Sequence, residues 1–465
     1  MKKKLFENNN GKIVILHAAV IDFLEQKGFM NLVSQTNRIL VRKEDNLFRM
    51  STVAEAMSVL KEYVKALDKP DVYEVLVKGI GSYVSSTKLN LLENVDLIDD
   101  RDSKDNCVFY FRNGFATISK ERIDFQPNSK LEKAIWQNRV IDFDYEPEMD
   151  SVKGQFESFC SILSKNDSAR LKALKSFVGY MLHRNKLRGE AKAIILYDED
   201  MGIDSAANGG TGKTLLTQAI GKCREVVIFD GKSIKSGSWF KNQRIELTTD
   251  VTVYDDLARN SNLDGLYSVM TSGIEVEKKR QQSFYINFEE SPKIMLTSNY
   301  PLKGSGGSSE RRRRYEFEVA NYFSAEYTPE MEFGNRFFDP DWSKKQWNMF
   351  YYFMMECVRE YLTYGLVEAE PINLRKAKKS RLTNSSFVNY FDENIKYNHW
   401  IDKNEFKQGF TQQYPEYAAT SSHQITKWID SMGINTSVET EHKSSGGKSY
   451  FLIRKKPMNM ENHGG

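Results

Sequence analysis

Residues 193–197 read Ala193-Ile194-Ile195-Leu196-Tyr197, and residues 207–214 read Ala207-Asn208-Gly209-Gly210-Thr211-Gly212-Lys213-Thr214. The second stretch is the phosphate-binding pattern G-x-x-x-x-G-K-[ST], with alanine in the first glycine position. Its glycines let successive backbone N–H groups turn inward and form a concave cradle for anionic oxygens. Lys213 adds a flexible positive charge for the β- and γ-phosphates, and the Thr214 hydroxyl can coordinate Mg²⁺. The apolar run before the loop reads as a buried strand. After it, Leu215, Leu216, Ala219 and Ile220 recur at helical spacing, so the loop feeds a helix whose N-terminal dipole faces the phosphates. A strand, a glycine loop and a helix in that order are the context the motif requires.

Three further apolar runs follow. Val226–Phe229 and Val251-Thr252-Val253-Tyr254 read as strands, the latter ending in Asp255-Asp256. Two carboxylates at the C-terminal end of a buried strand stand where open α/β sheets place ligands. One can hold Mg²⁺ and the other can orient or deprotonate an attacking water; alone, the pair would read as a solvated acidic turn. Lys293-Ile294-Met295-Leu296-Thr297-Ser298-Asn299 is a fourth strand with an amide at its end, suited to position that water. About a dozen residues on, past Gly304–Ser309, comes Arg311-Arg312-Arg313-Arg314. Such a run is ordinarily a solvated face. Here Arg312 and Arg313 are candidates to meet γ-phosphate charge, for which a planar, permanently charged guanidinium suits better than lysine. Between the third and fourth strands, Ile274 and Val276, then Phe284, Ile286 and Phe288, alternate as a β-hairpin with Lys278, Lys279 and Arg280 near its tip. Three cations there suit phosphate contacts, or serve only as a soluble turn.

The flanks are less specific. The chain has 465 residues, 40% hydrophobic and 28% charged, ordinary for a globular protein of two to four domains. Its net charge of +3 is too small to argue for nucleic acid by itself. Cys107, Cys160, Cys223 and Cys357 are scattered without metal-ligand spacing and suit a reducing cytosol. No run approaches the roughly 18 apolar residues of a membrane span, and the lysine-rich start is no signal peptide. In the N-terminal third, Thr52–Glu55 is a capping box opening a helix, and Asn113-Gly114 is a hairpin signal between Val108–Arg112 and Phe115–Ile118. This part reads as a docking or oligomerisation domain rather than a catalytic one. Phe156–Arg184 holds two amphipathic helices, either core or a neighbour's contact. Ser343–Tyr364 reads as a long aromatic- and Met-rich core helix. Leu366–Asn373 reads as a linker, followed by basic residues from Arg375 to Arg381. From Ser385 three helices precede two strands, Asn435–His442 and Ser449–Arg454, which is the winged-helix order. Its candidate DNA contacts are His423, Gln424, Lys427, Lys443, Lys448 and Arg454, although winged helices also dock proteins.

The order of P-loop, Asp-Asp, basic hairpin, strand ending in Asn and arginine run between residues 207 and 314 resembles that of a superfamily 3 helicase of the AAA+ class. The stretches Gly209–Thr214, Val276–Lys279, Ser291–Tyr300 and Arg312–Glu318 are similar to those of poxvirus-type and phage primase–helicases of mobile elements. The resemblance covers roughly residues 191–323. It implies an α/β fold: an AAA+ P-loop ATPase core (191–370) with an α+β N-terminal domain (1–150), a helical collar (151–190), and a basic linker with a C-terminal winged helix (371–465). It further implies ATP bound by Asn208, Gly209, Gly210, Thr211, Gly212, Lys213 and Thr214, with Mg²⁺ on Thr214 and Asp255. Catalysis would use Lys213, Asp255, Asp256 and Asn299, with Arg312 and Arg313 reaching the neighbouring subunit's site. The implied particle is a homo-hexameric ring in a bacterial host cytoplasm, not on a membrane. It would move 3′ to 5′ on single-stranded and forked DNA held by Lys278, Lys279 and Arg280, alongside a separate primase or initiator. Two departures stand out: Ala207 replaces a glycine, and no polymerising primase domain precedes the core. The competing expectations are an origin-binding initiator whose ATPase controls assembly alone, and an ATP-dependent switch in defence or packaging.

Overall fold

The structure, a computed structural model, describes residues 4–33, 38–96, 101–147, 153–201, 210–233, 242–258, 261, 263, 270–277, 283–302, 312–433 and 438–455. The chain opens with a hairpin of β1 (Phe6–Asn9) and β2 (Lys12–Ile15), then α1 (His17–Gln26). Next come β3 (Phe29–Val33), β4 (Arg38–Glu44) and β5 (Leu47–Met50), then α2 (Val53–Lys65), α3 (Pro70–Tyr83), α4 (Ser86–Leu89) and β6 (Asn94–Asp96). Thr52 starts α2 by accepting the Glu55 N–H at 3.1 Å, so the capping box forms its first half. Apolar residues at helical spacing, Ala56, Leu60 and Val64, bury α2 against Val20, Leu24, Phe29 and Leu76.

A second sheet follows: β7 (Cys107–Phe111), β8 (Gly114–Ile118) and β9 (Ile123–Pro127), then β10 (Ile135–Trp136), which joins β5, and β11 (Val140–Ile141), which joins β7. The β7–β8 turn is Arg112-Asn113, one residue earlier than the Asn-Gly signal suggests, because Phe111 pairs with Gly114. Among the described residues of 1–150, the apolar side chains thus divide among separate cores rather than forming one. The inner faces of β7 and β8 (Cys107, Phe109, Phe111, Ala116, Ile118) belong to the large core of the following helices and the central sheet.

That core is built on α5 (Gln155–Leu163), α6 (Ser168–Leu182) and a sheet of β12 (Ala193–Asp198), β13 (Val226–Asp230), β14 (Val251–Asp255), β17 (Lys293–Ser298) and β18 (Arg314–Val319). The strands run parallel in the order β13-β14-β17-β12-β18, with α7 (Lys213–Gly221) after β12 and a hairpin of β15 (Ile274–Val276) and β16 (Phe284–Ile286) between β14 and β17. β12 and β17 are buried along their whole length, as inner strands of a sheet covered on both faces should be. One face is covered by α6 and, after α8 (Pro329–Phe333), by α9 (Lys344–Tyr364). A Cβ on Gly179 would stand 2.0 Å from the Cys357 carbonyl, so a glycine is what lets α6 and α9 touch. The other face carries the β15–β16 hairpin and α10 (Leu374–Leu382), whose Leu374 and Ala377 are buried there. The stretch read as a basic linker is thus partly a helix docked on the sheet. Glu318 of β18 anchors its start by accepting the Asn373 N–H at 2.7 Å.

The C-terminal unit runs α11 (Ser385–Asn394), β19 (Trp400–Asp402), α12 (Lys403–Gln413), α13 (Ser422–Gly433), β20 (Val438–Ser445) and β21 (Lys448–Lys455). Its antiparallel sheet is ordered β19-β21-β20, and Phe387, Phe410, Trp428, Ile429 and Phe451 form its own core. The final hairpin is longer than its sequence suggests. Strand pairing reaches Ser445 and Lys448, so only Gly446-Gly447 turn, both at positive φ of 58° and 74°. Among the described residues, no helix is long and apolar enough to cross a membrane.

A buried ionic cluster joins the β7–β9 sheet to the central core. Asp102 accepts the Val108 N–H at 3.0 Å and the Arg184 N–H at 2.7 Å, and pairs with the Arg184 guanidinium at 3.4 Å. Burial alone would raise the Asp102 carboxyl, but Arg184, Arg224 and His183 around it hold it well below the carboxylate range. A depressed carboxyl stabilises the fold fully above its ordinary value of 3.8, and that contribution is lost as pH falls below it. Asp102→Asn should remove the buried carboxylate that faces the Arg184 guanidinium, costing about 3–5 kcal/mol of stability in urea unfolding at neutral pH.

Candidate functional site

In a parallel sheet the strand C-termini share one edge, and here they bring Asp198, Asp230, Asp255 and Ser298 to that edge. The loop after β12 re-enters the described residues at Gly210, with Gly210 and Gly212 at φ of 95° and 105°. A Cβ on Gly212 would also meet the Phe159 ring at 2.8 Å, so both backbone and packing demand glycine there. α7 then begins at Lys213, with Thr214 exposed in its first turn. Asn208 and Gly209 lie outside the described residues.

The Lys213 ammonium is paired with the Asp198 carboxylate and donates to Asn299 Oδ1 at 2.8 Å. The hydroxyl of Thr211, itself buried, donates to the same Asp198 oxygen. The Asn299 amide donates to Asp256 Oδ1 at 3.3 Å, so one amide bridges the loop lysine and a carboxylate two strands away. Thr297 fixes the carboxylate pair. Its hydroxyl donates to Asp255 Oδ1 at 2.6 Å and accepts the Asp256 N–H at 2.8 Å. Asp256 sits at φ 55°, a left-handed conformation that turns the chain sharply after β14. Lys232, just past β13, pairs with Asp256 and is raised above the ordinary lysine value by that hydrogen bond. A Cβ on Gly231 would approach the Asp255 carbonyl to 2.6 Å, which lets this turn press against the carboxylates.

Asp198, Thr297 and Lys232 were absent from the candidates read in the sequence. Each had a signal of position: Asp198 closes the apolar run of β12, Thr297 interrupts that of β17, and Lys232 follows Asp230-Gly231 at a strand end. Charge or polarity at a strand end does not say which neighbour it meets.

Arg312 and Arg313 stand elsewhere. The strand they precede, β18, runs parallel to β12 with Arg314 beside Ala193 and Val319 beside Asp198. At about 3.3 Å per residue, the arginines lie some 17 Å along the sheet from the loop edge. Arg312 is exposed and Arg313 half-buried. The hairpin pairs Ile274 with Ile286 and Val276 with Phe284, but Lys278, Lys279 and Arg280 lie outside the described residues. In the C-terminal unit, His423 and Lys427 are exposed on α13 and Gln424 is half-buried. Lys443 lies over the Trp400 ring at 4.1 Å. Lys448 is engaged by Asp402 and Glu405 at 3.3 and 3.5 Å, and Arg454 by Glu441 at 2.7 Å.

No family model matches the chain, and no curated protein matches it. Among solved structures it is similar to the A form apo structure of the NrS-1 C terminal region, at 12% identity and a TM-score of 0.31. It is likewise similar to the apo structure of that region's residues 305–718, at 12% and 0.28, and to their A form, at 13% and 0.33. Each likeness covers 75% of this chain and 96% of the other. At TM-scores this low the overall likeness is loose.

The loop geometry makes one demand that can be measured. Gly212→Ala combines a left-handed backbone with a clash against Phe159, and should cost about 1–3 kcal/mol in chemical unfolding. An unchanged midpoint would mean that the loop does not hold this conformation.

Proposed function

We propose that the chain is an ATP-driven, ring-forming DNA helicase that replicates a phage or mobile element. The observation that carries this reading is the continuous contact of Lys213, Asn299 and Asp256 across the C-terminal ends of three parallel strands. A lysine at a helix N-terminus suits polyphosphate, and a carboxylate held by an amide suits a water aimed at it. The sheet order, with the loop strand between β17 and β18, is the arrangement expected of an AAA+ core. The C-terminal unit has the helix and strand order of a winged helix.

The residues present fit ATP and Mg²⁺. Gly212 lets the loop seat against Phe159 and Leu163 where a Cβ would clash, Lys213 would hold the phosphates, and Thr214 with Asp255 would hold the metal. Mg²⁺ would neutralise charge on the phosphate oxygens. Asp256 would accept a proton from the attacking water as its oxygen bonds the γ-phosphorus and the bond to the β-phosphate oxygen breaks, with Asn299 fixing that carboxylate. Arg312 and Arg313, at the far edge of the sheet, are out of reach of their own loop. In a homo-hexamer they would serve the neighbour's site. The Lys278–Arg280 tip would face single-stranded DNA in the pore, with movement 3′ to 5′.

A second reading, an origin-binding initiator, is favoured by one observation: His423 and Lys427 are exposed together on the third helix of the C-terminal unit, where such a fold meets a groove. The two readings part on a forked DNA substrate. The helicase reading predicts strand displacement that requires ATP and is abolished, along with hydrolysis, by Lys213→Ala. ATP hydrolysis with DNA binding but no displacement would favour the initiator. Hydrolysis at the wild-type rate in Lys213→Ala would overturn both.

A further inference from the structure

Asp198 is 1% exposed, and its Oδ2 is a buried oxygen with no hydrogen-bond partner. Its other oxygen takes both the Lys213 ammonium and the Thr211 hydroxyl. Two residues of the phosphate-binding loop are thus tethered to one buried carboxylate at the end of the strand beneath them. Among the described residues, the cation paired with that carboxylate is Lys213. Removing the partner of a carboxylate in such a place leaves a buried charge that is costly. The same negative charge repels a polyphosphate entering the cradle, with little water between to screen it.

Lys213 therefore has two competing uses. It can compensate Asp198, or it can turn to phosphate oxygens and leave Asp198 alone. We propose that Asp198 is a positioning residue that restrains the loop, holding Lys213 and Thr211 in an arrangement that competes with phosphate and so lowers affinity for nucleoside di- and triphosphates alike. This rests on the reading of the loop as a nucleotide site. For a motor, such a restraint has a use: product leaves readily because Lys213 has somewhere else to go. Both nucleotides share the β-phosphate that Lys213 would meet, so the restraint acts on both.

The experiment is a titration of wild-type protein and three variants with fluorescent ATP and ADP analogues, with and without Mg²⁺. Folding is checked by circular dichroism. Asp198→Asn keeps the shape and removes the charge, and should tighten both nucleotides at least about tenfold. Asp198→Ser, also neutral, should do the same and serves if the Asn variant does not fold. Asp198→Glu keeps the charge and should show no gain. Unchanged or weaker binding in a folded neutral variant would overturn the proposal, because Asp198 would then be aligning Lys213 for phosphate rather than withholding it. A wild-type protein that binds neither nucleotide would instead overturn the nucleotide reading itself.

Discussion

One ion pair, Asp198 with Lys213, and the amide of Asn299 beside it tie the glycine loop to the rest of the sheet edge. Lys213 stands at the start of α7, Asn299 just past β17 and Asp256 just past β14, so the contact spans three separate segments of chain. Parallel strands in register make this possible, since only then do the three ends share one edge. The covering helices hold that edge in place. Phe159 of α5 presses on Gly212, and Gly179 lets α6 lie against α9. Packing remote from the loop thereby fixes where a 9-residue helix begins.

Much of this edge was legible because its chemistry demands rare residues at fixed offsets. Glycine at positive φ, a lysine at a helix start, paired carboxylates and an amide at strand ends can each be found by eye once the apolar runs between them are recognised. What was hidden depends on the third dimension. Alternation in β7 and β8 says that one face is buried, but not that it packs on α6 and α9 rather than on the N-terminal helices. The three residues of β19 are too few to show a period, and their pairing with β21 is set by a segment about fifty residues away. Asp198 is followed by Glu199 and Asp200, so position alone does not say which of the three meets the loop. Only the fold puts it under the loop.

The electrostatics of the two sheet edges differ in kind. At the C-terminal edge, Lys213 sits between Asp198 and Asn299, and Lys232 pairs with Asp256. At the other edge, Lys293 opens β17 with its ammonium on the Tyr180 and His183 carbonyls at 2.6 and 2.5 Å, and burial lowers it to about 7. There Arg139 pairs with Asp250 at 2.6 Å, and Asp102 with Arg184. These are contacts between elements, and they join the second sheet to the core. Arg312 and Arg313 lie at this same edge. In the proposed ring, the arginine-bearing edge of one subunit would meet the Lys213-bearing edge of its neighbour.

Subunit mixing tests that arrangement most directly. Lys213→Ala and Arg313→Ala proteins, each inactive alone, are combined at equal concentration and ATP hydrolysis is measured. If each mutation damages a different half of a shared site, mixed rings contain intact sites and a clear fraction of wild-type hydrolysis returns. No recovery in rings shown to be mixed would contradict the account, and the arginines would then serve only to hold the ring together.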